Sequence, residues 1–487
     1  MTTLTPMPLA ATDLLPLLPE LVVIGGAFAL LIADLFINPQ HKVWTHRCAA
    51  AILGLALLML ISGTGGQGIV FHGMFIRDTA ADIIKIGVVL VSAMSVLYGW
   101  NWLRDHNLRQ GEIPVLLLFS TAGMMLLISA GSLLMVYLGL ELLALCSYAL
   151  VASRRDNRMA SEAGMKYIVL GSLASGLLLY GMSLIYGATG SLHLDAIRAS
   201  ATASNERLLL LTGAVFMIGG IAFKLGAAPF HMWLPDVYQG APTPVALFIS
   251  SAPKLAAFAM AWRLLETGLG PMAPEVQYLL ATLAALSLII GNLMALMQTN
   301  IKRMLAYSTV SHIGFLLMGI AGGGEQGYSA ALFYAVAYAL MSTASFAVIM
   351  ALSRAGFEAE NIDDFKGMNA RSPWLAGLVL CIMASLAGVP PFLGFWSKMA
   401  VLAAAANGGL VWLAILGVMC AVIGCFYYLR LIKVMYFDEP EGDAGPARSS
   451  SRLVGLMLSI NAIALLLLPL ALGPLLDWMK TAFTTVS

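Results

Sequence analysis

The chain has 487 residues, of which 60% are apolar and 10% charged, with a mean hydropathy of +0.88. A soluble domain carries about 25% charged residues, so 26 Lys+Arg and 25 Asp+Glu are too few to coat one of this size. The net charge of +1 gives no electrostatic basis for binding nucleic acid.

Apolar runs of about twenty residues recur throughout, the length that crosses a bilayer's hydrocarbon core at about 1.5 Å per residue. The N-terminus lacks a basic n-region and a small-residue cleavage site, so the first run, from about Leu21, is expected to be a retained span. Breaks at charged or Gly/Pro clusters predict a single all-α polytopic membrane domain of about fourteen spans. In chain order these are 14–37, 46–63, 77–100, 113–130, 132–152, 162–187, 208–230, 242–265, 275–297, 302–321, 327–353, 373–398, 408–432 and 453–475. The longest polar connections, 188–207, 354–372 and 433–452, leave no room for a soluble domain. Gly322-Gly323-Gly324 reads as a hinge or turn.

Loop charge sets the expected orientation. One side carries Lys42, Arg47, Arg104, Arg109, Arg154, Arg155, Arg158, Lys302, Arg303, Arg354, Lys366, Arg371, Arg430, Lys433, Arg448 and Arg452. The other has Arg77, Arg198, Arg207, Arg263 and Lys480. Sixteen against five places the first set in the cytoplasm and both termini outside.

No cofactor signature accompanies these spans. Cys48, Cys146, Cys381, Cys420 and Cys425 include no CxxC pair and read as inert buried thiols. There is no Walker A sequence and no strand-placed GxGxxG. The Trp/Tyr clusters around Trp100, Trp233 and Tyr427-Tyr428 read as aromatic belts and packing.

A faint internal repeat is present. Gly226-Ala-Ala-Pro229-Phe230 reappears as Gly388-Val-Pro390-Pro391-Phe392, an offset of 162 residues. Five spans separate the copies, an odd number, so they would cross the membrane in opposite directions, as in inverted-repeat transporters. The expected organisation is three N-terminal spans (1–112), a first five-helix repeat (113–270), a second (271–436), and a C-terminal loop and span (437–487). Each copy carries a helix break. Pro229 cannot bond to Leu225 and clashes with its carbonyl; Pro390 and Pro391 likewise free Leu386 and Ala387. Non-helical backbone at membrane depth is tolerated where it lines a cavity or is covered by protein. The freed Leu225 carbonyl is expected beside Lys224, and Lys398 follows the second break by about two turns.

Five lysines fall within spans: Lys85, Lys166, Lys224, Lys254 and Lys398. Each costs about 2.5–3.5 kcal/mol at mid-membrane, a cost that packing alone does not justify. A buried lysine can lose its proton, so a chain of them can relay protons where water fills the gaps. Glu141, in Tyr137-Leu-Gly-Leu-Glu141, supplies an opposing charge. Lys224, Lys254 and Glu141 are the deepest candidates. Lys85 is expected to be neutralised structurally by Asp82, three residues before it. Glu20 and Asp34 read as interfacial, and Lys166 as able to snorkel. His231, Lys302, Tyr307 and His312 could extend a polar path.

At Phe223-Lys224-Leu-Gly-Ala-Ala-Pro-Phe-His231-Met-Trp-Leu-Pro-Asp236-Val-Tyr-Gln-Gly-Ala-Pro242-Thr-Pro244-Val, the chain resembles the antiporter-like membrane subunits of respiratory complex I. These are related to the multisubunit cation/proton antiporters, and the likeness covers essentially the whole chain. The resemblance implies that Glu141 is the fifth-span glutamate and Lys224 the seventh-span lysine. It makes Lys254, in Ser-Ala-Pro-Lys-Leu, the eighth-span connecting lysine, and Lys398, in Gly-Phe-Trp-Ser-Lys, the twelfth-span residue near the outlet. Lys398 departs from the M-type, which has Glu there, and ending at Ser487 departs from the L-type with its lateral helix. The shorter N-type is therefore the expectation.

The resemblance further implies a non-redox translocase subunit of the bacterial inner membrane that couples quinone reduction to proton transfer. NADH, FMN, iron–sulfur clusters and quinone would belong to partner subunits, including neighbouring antiporter-like ones, and this chain would hold no cofactor or metal. A subunit of a multisubunit sodium/proton antiporter, or a structural membrane subunit, is the alternative.

Overall fold

A computed structural model describes residues 11–108, 111–203, 206–354, 357–439 and 452–484; Arg109, Arg448 and Ser487 lie outside them. Helices α1 (Leu18–Asp34), α2 (Val43–Ile61) and α3 (Thr79–Asp105) come first. Next are α4 (Glu112–Ile128), α5 (Leu133–Val151), α6 (Arg158–Thr189), the short α7 (Leu194–Ala203), α8 (Arg207–Leu225), α9 (Trp233–Gly240) and α10 (Thr243–Trp262). The chain continues through α11 (Ala273–Leu296), α12 (Ile301–Gly322), α13 (Gly324–Leu352), α14 (Met368–Arg371), α15 (Pro373–Ala387) and α16 (Leu393–Asn407). It closes with α17 (Val411–Phe437), α18 (Arg452–Leu467) and α19 (Leu472–Thr484).

Among the described residues, 12 helical segments are long and apolar enough to cross a membrane. The spans expected at 113–130 and 373–398 fall on shorter apolar helices, α4 with 17 residues and α15 with 15. One expectation is too simple. The connection after α2 is not purely helical, because β1 (Gly68–Val70) and β2 (Phe75–Arg77) pair as an antiparallel hairpin. Gly323 and Gly324, at φ 67° and 60°, form the tight α12–α13 turn anticipated there; glycine alone adopts this backbone without strain.

Helix starts follow local chemistry. Asp78, Ser132, Asn157 and Asn300 accept from the backbone N–H three residues on, at 2.8, 3.3, 3.1 and 3.1 Å, capping α3, α5, α6 and α12. Two glycines bring α4 and α5 together: a Cβ on Gly123 would sit 2.9 Å from the Gly139 carbonyl oxygen. The most enclosed helices are α10 and α12, whose spanning windows are 100% buried, followed by α13 at 83%. A helix covered on all sides belongs at the centre of a bundle, and here α2, α6, α17 and α18 form part of the rim. Polar residues on α10, α12 and α13 are therefore held inside protein, away from lipid.

Among the described residues, several charged side chains connect loops that the basic-residue count assigns to the same end. Lys42 pairs with Asp34 at 2.6 Å and Arg155 with Glu112 at 3.3 Å. At the other end Arg263 pairs with Asp78 at 2.8 Å, and Arg198 donates to the Glu266 carbonyl at 2.7 Å.

Four sequence expectations are corrected. Asp82 does not neutralise Lys85; it pairs with Arg77 at 2.7 Å, and Lys85 pairs with Glu20 at 2.6 Å. Glu20 is not interfacial, since both it and Lys85 are 0% exposed. Helix α1 packs closely enough to offer the carboxylate, which a one-helix spacing argument could not foresee. Among the aromatics, Trp233, Tyr238, Tyr427 and Tyr428 are fully interior rather than in a belt. Cys48 is exposed, while Cys146 and Cys420 are buried.

A fully buried pair contributes through what its loss leaves behind. Glu20→Ala or Lys85→Met alone should destabilise the subunit by about 3–5 kcal/mol, because one buried charge is stranded. The double variant Glu20→Leu/Lys85→Met should recover most of that loss, read from thermal unfolding in detergent.

Candidate functional site

Helix α8 ends where Gly226 turns to φ 87°. The chain then runs unwound past Pro229 before α9 begins at Trp233. An interrupted helix leaves carbonyls without N–H partners, and inside a membrane they need donors from the protein. Lys254, from α10, supplies them: its ammonium donates to the Leu225 carbonyl at 2.7 Å and the Lys224 carbonyl at 3.3 Å. Trp233 Nε1 donates to the Phe223 carbonyl at 3.0 Å, and the Ala228 N–H donates to Ser287 Oγ at 2.9 Å. The Lys254 ammonium also lies 5.0 Å from the centre of the Trp233 ring, a distance at which a ring face attracts a cation.

The second break repeats this chemistry. Helix α15 ends at Gly388, φ 85°. Lys398, on α16, donates to the Leu386 and Ala387 carbonyls at 2.9 and 2.8 Å. Its ammonium lies 5.3 Å from the Phe315 ring centre. Gly388 permits this approach, since a Cβ there would meet Lys398 Cδ at 2.8 Å. The carbonyls that Lys398 caps are the two that Pro390 and Pro391 were expected to free. The Leu225 carbonyl, by contrast, goes to Lys254 and not to Lys224, so the two breaks are capped alike by lysines that the sequence repeat does not align.

Lys224 itself is buried on α8, with no hydrogen bond or ion pair within 4.0 Å among the described residues. Its side chain helps line a small cavity of about 10 Å³ between α5, α6 and α8, with Tyr148, Ser175 and Phe223. Ser175 donates to the Glu141 carboxylate. Glu141 and Lys224 are thus brought to one cleft with Ser175 between them, within electrostatic reach but not in contact. Glu141 is half-buried and lies along the α5 face that exposes Leu138 and Leu145.

The remaining candidates divide into two groups. His312 lies deep on α12: Nδ1 is 2.6 Å from Tyr334 Oη and Nε2 is 3.1 Å from Tyr428 Oη, which is 2.6 Å from Ser308 Oγ. This network is within electrostatic reach of Lys398. Tyr307 and His231 approach each other, ring centres 6.3 Å apart. At the bundle end, Lys302 pairs with Glu358 at 2.7 Å and Glu360 at 3.3 Å. Lys166 does not join the deep lysines. It is 43% exposed and pairs with Glu162 at 2.8 Å and Asp236 at 2.7 Å, with Arg303 on the same Asp236 at 2.7 Å.

Ser175, Tyr334, Tyr428 and Glu358 were not singled out from sequence. For Tyr427-Tyr428 a signal existed, two hydroxyls inside an apolar run, but it was read as packing. No cluster of three or more His, Cys, Asp or Glu able to hold a metal occurs among the described residues.

Residues 130–424, which include both breaks and every deep lysine of the relay candidates, match the family described as NADH:quinone oxidoreductase/Mrp antiporter, TM. The chain is 69% identical over 483 residues to NADH-quinone oxidoreductase subunit N of Xanthomonas euvesicatoria pv. vesicatoria (strain 85-10), covering 99% of each. It is 48% identical over 459 residues to the protein of the same name from Laribacter hongkongensis (strain HLHK9), covering 94% of each. A chain of respiratory complex I from Thermus thermophilus superposes with TM-score 0.82 at 31% identity, covering 95% of this chain and 100% of that one. A chain of the Mrp complex from Dietzia sp. DQ12-45-1b, 20% identical with TM-score 0.86 over 98% of each, shares the fold. By its helical architecture and by relatives matched end to end, the chain belongs to the family of antiporter-like transmembrane subunits that NADH:quinone oxidoreductases share with Mrp antiporters.

Proposed function

We propose that this chain is the N-type proton-translocating subunit of a bacterial NADH:quinone oxidoreductase. The observation that carries this reading is the repeated device of a buried lysine on the two orphan carbonyls of a broken helix. A lysine held by neutral dipoles can release its proton and remain bonded, because the neutral amine still has two N–H donors for the same two carbonyls. The protonation state can therefore cycle without undoing the helix ends.

In this reading protons enter from the cytoplasm near α9 and α10, pass along Lys224 and Lys254, and leave by Lys398 to the outside. His312 with its two tyrosines lies on α12, between the lysine-bearing α10 and α16, and supports passage between the two halves. Tyr307, His231 and Lys302 form a secondary path, and Lys166 serves at the surface. Glu141, across the Ser175 cleft from Lys224, modulates that lysine electrostatically. The chain would cross the inner membrane fourteen times as two inverted five-helix repeats (113–270 and 271–436) behind three N-terminal spans, with both termini outside. A half-buried carboxylate on an outward face costs too much against lipid, which supports a neighbouring membrane subunit covering α5 and α6. NADH, FMN, iron–sulfur clusters and quinone would reside in partner subunits, whose redox turnover drives the cycle.

Lys398→Arg separates the structural role from the relay. A guanidinium retains donors for the Leu386 and Ala387 carbonyls but does not deprotonate in proteins. The complex should assemble, with protons pumped per electron pair falling below wild type in reconstituted vesicles. Lys224→Ala and Glu141→Gln, measured in the same vesicles, should each lower coupled pumping; a wild-type proton ratio in all three variants would sink the relay.

A further inference from the structure

The segment following α13 is fixed to the start of α12 by backbone pairing. Ile301 N–H donates to the Glu360 carbonyl at 2.7 Å, and Ile362 N–H donates to the Thr299 carbonyl at 3.0 Å. Glu358 and Glu360 alternate along this extended stretch, so both carboxylates reach Lys302, whose side chain is 1% exposed. Glu358 also accepts from the hydroxyl of Thr243, the first residue of the fully enclosed helix α10. Burial acts to raise the Glu358 carboxyl, but the Lys302 ammonium and the hydrogen bonds from Lys302 and Thr243 hold it below the usual carboxylate range.

The other side of Glu358 opens outward. It lines an open polar cavity of about 360 Å³ together with Asp105, His106, Asn107, Arg154 and Phe357. A second, small cavity of about 10 Å³ shares Asp105 and His106 and lies beside Tyr98 and Ser353. Glu358 is thus the one carboxylate in this group that touches both an open polar vestibule and the end of the helix bearing Lys254.

Thr243, Ser250 and Lys254 are spaced by seven and four residues, which places them on one face of α10. The eleven residues from Thr243 to Lys254 span about 16 Å at the helical rise. Ser250 accepts from Ser342 Oγ on α13 at 2.8 Å, so the midpoint of this face is itself polar.

We propose that Glu358 and Thr243 form the proton-uptake gate of this subunit, delivering protons from the polar vestibule along the α10 face to Lys254. A proton from hydronium in the vestibule forms an O–H bond on the Glu358 carboxylate, leaving water, and weakens its pairing with Lys302. Its release on the Thr243 side, through waters bridging to Ser250, restores the carboxylate and re-forms the ion pair with Lys302. Charge is conserved and no electrons move. This proposal rests on the relay reading above but assigns it a specific mouth, one that neither the loop charges nor the lysine spacing indicated.

The test uses the intact complex reconstituted in vesicles. Glu358→Gln keeps the shape and an acceptor for Thr243 but removes the carboxylate. Coupled pumping should fall roughly tenfold, less than the roughly 10²-fold or more that loss of a positioned acid–base group can cost, since vestibule water still reaches Thr243. Adding imidazole or formate, small carriers that bring protons to the mouth, should restore it to within about twofold of wild type. Glu358→Asp should fall between the two. A purely structural ion pair predicts a loss that neither carrier repairs, and that result overturns the gate. If Glu358→Gln does not assemble, Thr243→Val serves instead; it keeps the ion pair, so the gate predicts a comparable loss of pumping, and wild-type pumping in this variant overturns the gate. Lys254→Ala is run alongside. If it abolishes pumping while Glu358→Gln pumps as wild type, the gate is wrong and the relay stands. If Lys254→Ala itself pumps as wild type, the relay reading on which the gate depends is wrong.

Discussion

A carbonyl oxygen inside a bilayer must have a donor. At Leu225 and at Leu386–Ala387 the backbone cannot provide one, because α8 and α15 end at glycines in the left-handed region. Everything distinctive about the interior follows from how that requirement is met. Each break is closed by a lysine, Lys254 at 2.7 Å and Lys398 at 2.8–2.9 Å. The alternative donors, a serine hydroxyl or an indole, are present nearby as Ser287 and Trp233 and take other backbone groups. Lysine differs from them in having a proton that it can give up without vacating the site.

Two kinds of buried charge can be told apart on this basis. Glu20 and Lys85 form a closed pair at 2.6 Å, with both members 0% exposed. Each is the other's ion-pair partner. Lys224, Lys254 and Lys398 are instead set among dipoles, aromatic faces and a carboxylate held off by Ser175. Their charge is tolerated rather than cancelled, which is the condition for a group that must gain and lose a proton. All three are buried in protein, which keeps lipid away, so the cost of that tolerance falls on protein–protein packing.

Much of the plan was legible in the sequence. Proline positions located both breaks, and Lys224, Lys254 and Lys398 stood in apolar runs that the structure buries; Glu141, expected to be as deep, is only half-buried. The partner assignments were not legible. Asp82 is one helical turn from Lys85 yet serves Arg77, because α1 brings Glu20 closer. Lys166 stands in an apolar run but reaches the surface to meet Asp236 on α9. His312 read as a single polar residue; its two tyrosines come from α13 and α17.

The sequence by itself determined the hydropathy, hence the membrane, the approximate span ends, and the places where helices must break. These are local properties: apolar length against bilayer thickness, and a proline against the hydrogen bond four residues back. Only the tertiary structure decided which lysine answers which broken helix, and that Glu358 joins a vestibule to α10. Those contacts join residues 11 to 115 positions apart, and their geometry depends on how helices pack side by side. No spacing rule along a single helix carries that information.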